Sequence, residues 1–156
     1  MTLSEISKLI NDNLPGAILE EKPTAIVIKK ELLVKVAEFL KTGECQFESM
    51  HCITAVDWKD KIEVVYLLYS FRHKIMLTLK VFLSMEDLTV ETLSHLWKSA
   101  NWLERETFDL FGVKFLNHPD PRRIMNPDEW TDHPLRKNFD RPDFIRLPQT
   151  DGLKAV

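Results

Sequence analysis

"KIEVVYLLYSFRHKIMLTLKVFL" (residues 61–83) contains two runs rich in β-branched and aromatic residues, joined by the charged link "RHK" around His73. Side chains of these types pack well on a pleated surface, so each run predicts a strand. The link is hairpin-sized. Parallel neighbours would need a crossover of about a dozen residues or more, so the two strands are expected to be antiparallel. Upstream, "FESMHCITAVDW" reads as a third strand, joined through "KDK" around Asp60, which extends the pair to an antiparallel meander. The near-continuous apolar run "VVYLLY" predicts a strand covered on both faces, by helices on one side and by something else on the other.

Outward from the meander, "LSEISKLINDNL" places Leu3, Ile6, Ile10 and Leu14 at helical spacing before Pro15-Gly16 stops it. "TAIVIKK" reads as a short strand and "ELLVKVAEFLKTG" as an amphipathic helix ended by Gly43. Beyond the meander, "DLTVETLSHLWKSANWLERETFDLFG" carries Leu93, Leu96, Trp97, Ala100, Leu103, Thr107, Leu110 and Phe111 at helical spacing, as one helix or two. Asn101 fits an N-cap with Glu104 at the third helical position, which predicts a break there and a second helix over 102–111 ending at Gly112. The fold class is therefore α+β. An antiparallel or mixed sheet of about four strands with helices packed on it occupies residues 1–112, and an extended Pro-rich C-terminal arm follows over 113–156.

The composition fits this frame. With 156 residues, 44% hydrophobic and 29% charged, the chain can bury one ordinary core without disulfides or metal. A formal net charge of −3 argues against nonspecific nucleic-acid binding, which needs a basic surface. No run reaches the roughly 18 apolar residues of a membrane span. The start "MTLSEISKLI" lacks the basic and apolar regions of a signal peptide, so a cytosolic location is expected. Cys45 and Cys52, if carried on one extended strand, lie roughly 23 Å apart, too far to bridge. With His51 they supply too few ligands for a zinc or iron–sulfur site.

At 100° per residue, the second helix sets Leu103, Thr107, Leu110 and Phe111 on one side and Trp102, Arg105, Phe108 and Asp109 roughly opposite. Arg105 and Asp109, four apart, can pair along the helix. Trp102 and Phe108 either pack on the chain's own tail or form a partner surface. Glu104, Glu106 and Asp109 invite an acid–base reading. Glu104 and Glu106 flank the core stripe about 160° apart, however, which suits pairing with arginines better than aiming at one bond. Four glycines make neither a phosphate loop nor a dinucleotide fingerprint.

Six of the eight prolines fall between residues 119 and 148, which excludes a long helix or a central strand there. Yet Phe115, Leu116, Ile124, Met125, Trp130, Leu135, Phe139, Phe144 and Ile145 are too apolar for idle disorder. The segment is expected to be ordered by burial against something larger than this domain, as in a subunit of an assembly. His118 and His133 each precede a proline and read as hydrogen-bonded structural histidines. Arg122, Arg123, Arg136 and Lys137, interleaved with acids, read as specific pairing rather than a polyanion site.

"ANWLERETFDLFGVKFLNHPDPRRIM" and "DHPLRKNF" resemble the signature of the thirty-kilodalton subunit, also called the C subunit, of respiratory complex I, NADH:quinone oxidoreductase. "ITAVDW" and "EVVYLLYS" resemble its strands, so the similarity spans roughly residues 45–140. Trp102, Glu104, Arg105, Glu106, Phe108, Asp109, Gly112, His118, Pro119, Asp120, Arg122, Arg123, His133, Pro134, Leu135, Arg136 and Lys137 match it. Pro121, Asp132 and Asn138 depart from it, and the chain's length is like that of the short bacterial form. The resemblance implies a subunit of the hydrophilic arm with no catalytic residue, flavin or iron–sulfur cluster of its own, the FMN and clusters lying in other subunits. It implies packing against the forty-nine-kilodalton (D) subunit and iron–sulfur subunits, peripheral on the cytoplasmic face of the inner membrane, in a complex coupling NADH oxidation and quinone reduction to proton translocation. The matched residues, with Trp130, are expected to serve folding and docking. The equivalent subunit of a membrane-bound [NiFe] hydrogenase or formate hydrogenlyase is the alternative.

Overall fold

A computed structural model describes residues 1–140 of the chain. The first helix, α1 (Leu3–Asn13), opens with a capping box in which the Thr2 hydroxyl accepts the Glu5 N–H and the Glu5 carboxylate accepts the Thr2 N–H. It turns Ile6 and Ile10 into the core. Two short strands follow, β1 (Ile18–Lys22) and β2 (Ala25–Ile28), then a 3-10 turn (Lys30–Leu32) and α2 (Leu33–Thr42). The second helix buries Leu33, Val36, Ala37 and Leu40 and is closed at Gly43. Next come β3 (Ser49–Asp57), β4 (Lys61–Ser70) and β5 (Ile75–Ser84), which form the antiparallel meander.

The sheet has five strands in the order β1-β2-β5-β4-β3, with β2 parallel to β5, so it is mixed. The fifth strand is β1, "ILEEK", whose middle three residues are exposed. A charged edge strand protects the sheet from further pairing but offers no apolar alternation for a reader of the sequence.

Cross-strand partners share a face, and the two faces differ. Ala55, Val64 and Val81 form one row and Ile53, Tyr66 and Leu79 the next, all buried in one core with Ile6, Ile10, Val36 and Leu40 from the helices. On the reverse, rows such as Thr54–Val65–Lys80 and Cys52–Leu67–Thr78 have no member in that core. The expected cover on both faces of "VVYLLY" is thus found on one.

The last helix, α3 (Lys98–Phe111), runs between β6 (Thr89–Glu91) and β7 (Lys114–Leu116), which pair in parallel as a second small sheet. This corrects the expected helical run within residues 87–112 with a break at Asn101: one helix starts at Lys98, with extended Trp97 as its N-cap residue. Two contacts account for the difference. The Trp97 indole donates to the Phe47 carbonyl and sinks into the core, and the Leu93 N–H and Thr92 hydroxyl both donate to the Glu104 carboxylate. The segment is thereby drawn across the side of the helix instead of continuing it. α3 packs on β3, where the Thr107 hydroxyl donates to the Ile53 carbonyl and the Ser99 hydroxyl to the Met50 carbonyl. From Asn117 the chain runs without helix or strand to Asp140. Phe144, Ile145 and the rest of the expected arm lie outside the described residues.

Leu79 sits fully buried at the middle of the central strand. Leu79→Ala is expected to lower unfolding free energy by about 2–5 kcal/mol, read from urea denaturation with an unchanged m-value. A loss below about 1 kcal/mol would place the core elsewhere.

Candidate functional site

α3 presents to the arm a row of charged side chains that the chain itself covers. Asp109 stands in the last turn of the helix and is fully buried. Its Oδ2 accepts three consecutive backbone N–H groups, from Ile124 (3.0 Å), Met125 (2.7 Å) and Asn126 (2.9 Å), while Oδ1 accepts from the Asn126 amide and the Arg123 guanidinium. A carboxylate near a helix C-terminus faces the negative end of the macrodipole, at a cost of about 0.3–1 kcal/mol. Hydrogen bonds to a charged group return roughly 1.5–3 kcal/mol each, so the nest of N–H donors outweighs the dipole. Burial opposes the charge as well, yet the bonds from Asn126, Arg123 and Ile124 hold the carboxyl far below the usual range. Because the folded pKa is depressed, this stabilisation is complete above the ordinary carboxyl pKa and fades as pH falls toward the folded value.

One turn earlier, Arg105 serves the arm's carbonyls as Asp109 serves its amides. Its Nε donates to the Arg122 carbonyl and its Nη2 to the Arg123 carbonyl, both at 2.9 Å, and Nη1 lies 3.4 Å from Asp120. The expected Arg105–Asp109 pair along the helix therefore does not form, because each side chain is taken by the arm. Both are buried, not turned to solvent as the helical projection implied. A proline-rich segment cannot satisfy its own backbone groups through a helix or ladder, so they must be met by side chains or water.

Further contacts tie the rest of the arm. The His133 Nδ1 donates to the Asp109 carbonyl at 3.0 Å, and the Leu135 N–H donates to the Leu110 carbonyl. Gly112 caps α3 with φ +79°, and a Cβ there would come within 2.6 Å of the His133 ring, so a side chain is excluded twice over. At the end of β3, Asp57 accepts from the Arg136 Nε (2.9 Å) and the Lys137 N–H (3.0 Å). Asp57 was not among the candidate residues. Its signal was a lone acid ending the strand "ITAVD".

Glu104 is fully buried and faces β6, away from Asp109, so the two carboxylates do not converge on one point. Glu104 finds no arginine, contrary to expectation. Its partners are Thr92 and Leu93, with His118 Nε2 at 3.7 Å. His118 Nδ1 accepts the Asp120 N–H, which assigns the ring proton to Nε2, and that nitrogen donates to the Asn101 carbonyl. Burial pushes the Glu104 carboxyl up to about 7, against the opposing effect of its two hydrogen bonds. Glu106 is half-buried, and its charge adds to burial in raising the pKa of the Cys52 thiol.

Other candidates face outward. Trp102 is 60% exposed, with the Arg105 guanidinium 5.2 Å from its ring centre. Arg122 is exposed and makes a two-pronged contact with Asp120 at 2.7 and 2.9 Å. Phe108 is half-buried between Arg123 and His133. Trp130 is half-buried and its backbone N–H donates to the Pro127 carbonyl. Lys137 reaches over the Trp58 ring. Between α3, β7 and the arm, Glu104, Arg105, Phe108, Lys114, Phe115, His118 and Pro121 line a cleft of about 220 Å³. That is smaller than the roughly 300–1,000 Å³ of a small-molecule pocket and suits a single inserted side chain better than a cofactor. Among the described residues, no three His, Cys, Asp or Glu side chains come together as a metal site.

A raised folded pKa means that the native state holds a proton on Glu104 where the unfolded carboxyl, near 4.3, has lost it. Stability is therefore expected to fall as pH rises from about 4.5 to about 7 and then to level off. Glu104→Gln should flatten that slope in melting temperatures taken between pH 4.5 and 8. An identical slope in both proteins would remove Glu104 as its source.

Comparison with known proteins joins the chain to one family. Residues 26–144 match the family model described as "Respiratory-chain NADH dehydrogenase, 30 Kd subunit". The C subunit of the NADH-quinone oxidoreductase of Geobacter sulfurreducens is 45% identical over 118 residues, which cover 73% of this chain and 72% of that one. Among solved structures, a trypsin-resistant fragment (1-134) of Nqo5 superposes with a TM-score of 0.66 at 27% identity, over 77% of this chain and 99% of the fragment. A chain of an archaeal respiratory membrane complex, the membrane-bound sulfane sulfur reductase, superposes with a TM-score of 0.70 at 28% identity, over 88% and 85%. The chain belongs to the family of the 30 Kd subunit of respiratory-chain NADH dehydrogenase.

Proposed function

We propose that this chain is a non-catalytic core subunit of the hydrophilic arm of proton-translocating NADH:quinone oxidoreductase. It packs against the forty-nine-kilodalton (D) subunit and beside the iron–sulfur subunits, and supports the passage of electrons from NADH to quinone. FMN and the iron–sulfur clusters belong to those other subunits, and the complex holds this one on the cytoplasmic side of the inner membrane. No helix among the described residues is long and apolar enough to cross a membrane, which fits attachment through partners.

The observation that carries this reading is how the charged residues of α3 are used. Arg105 and Asp109 are committed to the arm's backbone, and Glu104 is held by Thr92 and Leu93. Such side chains hold a shape. An acid–base catalyst instead needs a group within reach of a proton on bound substrate. The shape displays Trp102, Met125 and Leu135, each more than half exposed, which is the kind of apolar content an interface buries.

A second reading draws on the structural likeness to a chain of the sulfane sulfur reductase. In it the chain fills the equivalent position in a related membrane-bound complex, such as a [NiFe] hydrogenase or formate hydrogenlyase. Affinity purification of the tagged chain from gently solubilised membranes separates the two. The D subunit and the iron–sulfur subunits with NADH:quinone activity are the expected yield. Hydrogenase-type subunits would favour the second reading, and a lone chain would contradict both.

A further inference from the structure

The reverse face of the sheet is anomalous for a surface open to water. An antiparallel sheet with one solvated side normally alternates apolar-in with polar-out. Here the outward rows carry Val56, Val65, Leu67, Tyr69, Met76 and Phe82. None of the six belongs to the core that the helices cover, and Met76 and Val56 are 52% and 38% exposed. Trp58, half exposed, stands at one end of this face with its indole donating to Glu63 at 2.8 Å, and Phe71, 62% exposed, at the other. Apolar content of this kind on a face without helices, even interleaved with Thr54, Thr78 and Lys80, marks a site of association.

We propose that this helix-free face is a docking surface for a partner subunit that presents an apolar centre bordered by carboxylates. The inference rests on the assignment of the chain to a multi-subunit complex and names the surface and the chemistry that meets it.

Charge selects the occupant. The chain as a whole has a net charge of −3, yet the strands of this face carry three lysines, Lys22, Lys61 and Lys80, against Glu20 and Glu63. Lys22 and Lys80 are paired with Glu20 and Glu63, while Lys61 lies over the Phe82 ring at 4.3 Å and has no carboxylate partner among the described residues. The hairpin at the far end adds Arg72 and Lys74, beside the single carboxylate of Glu48, which accepts the Phe71 N–H. A second copy of the chain would bring one basic rim against another. Residues 141–156 carry Arg141, Arg146 and Lys154 against Asp143 and Asp151, so the chain's own terminus brings no excess of acidic side chains. Complementary charge across an interface favours the correct partner and penalises like-charged ones.

The arm leads to the same place. Arg136 and the Lys137 N–H hold Asp57 at the end of β3, and the Lys137 amine lies 5.8 Å from the centre of the Trp58 ring. A partner engaged at Lys137 is thus already at the rim of the open face, and the two surfaces can act as one.

The test uses the assembled complex. With p-benzoylphenylalanine in place of Met76, illumination should cross-link the full chain to a different subunit, at a segment flanked by Asp or Glu. Cross-links to residues 141–156, to a second copy of this chain or to nothing would overturn the proposal. In parallel, the Leu67→Asn, Met76→Asn double variant should melt near the wild type as an isolated full chain and recover at least about tenfold less complex, the effect of losing buried apolar anchors. Undiminished recovery would also overturn it. Failure of the wild-type chain to recover any partner would instead overturn the subunit assignment on which it rests.

Discussion

A single carboxylate at the end of a helix determines the path of the last part of this protein. Asp109 gathers the N–H groups of Ile124, Met125 and Asn126 together with the Arg123 guanidinium, in a position where the helix dipole alone would resist a negative charge. Arg105, one turn away, holds the carbonyls of Arg122 and Arg123. The two side chains read opposite poles of the same stretch of backbone, which explains how a segment rich in proline becomes ordered without helix or ladder. Remove the carboxylate and three part-buried backbone donors lose their acceptor together. Each such loss costs about 1–3 kcal/mol, so the arm has no cheap alternative path.

The clamp depends on the sheet in turn. Thr107 and Ser99 fix α3 on β3, and β6 and β7 brace its two ends, so the helix that carries Arg105 and Asp109 is rigid before the arm reaches it. Asp57, at the end of β3, then holds Arg136 and Lys137 and delivers the arm to the rim of the open sheet face. Sheet, helix and arm therefore form a chain of positioning. It ends in two outward surfaces, one around Trp102 and Met125 and one across the helix-free side of the sheet. In a member of a multi-subunit family, these are the features that give the shape its edges.

Much of this was legible in the sequence. Hairpin-sized links and branched residues were enough for the meander, and Gly43 and Gly112 marked two helix ends correctly. The charged edge strand β1 was not legible, since an exposed strand carries no apolar period. The start of α3 was missed for a different reason. Leu93, Leu96 and Trp97 have helical spacing, but a buried carboxylate eleven residues away at Glu104 draws Leu93 into a tertiary hydrogen bond that no local pattern records. The same limit applies at the site. Arg105 and Asp109 at four-residue spacing suggested a surface pair, whereas each found a stronger partner in the arm. The signature singled these residues out, and only the fold shows that their charges are spent on backbone groups within the chain.

The claim that Asp109 organises the arm is tested most directly by amide hydrogen exchange in Asp109→Asn against the wild type. Protection at Ile124, Met125 and Asn126 is expected to fall by about a hundredfold or more, as for a broken buried charge pair, while the amides of β4 and β5 stay as they were. Unchanged protection at those three amides, or loss in step across the whole sheet, would contradict it.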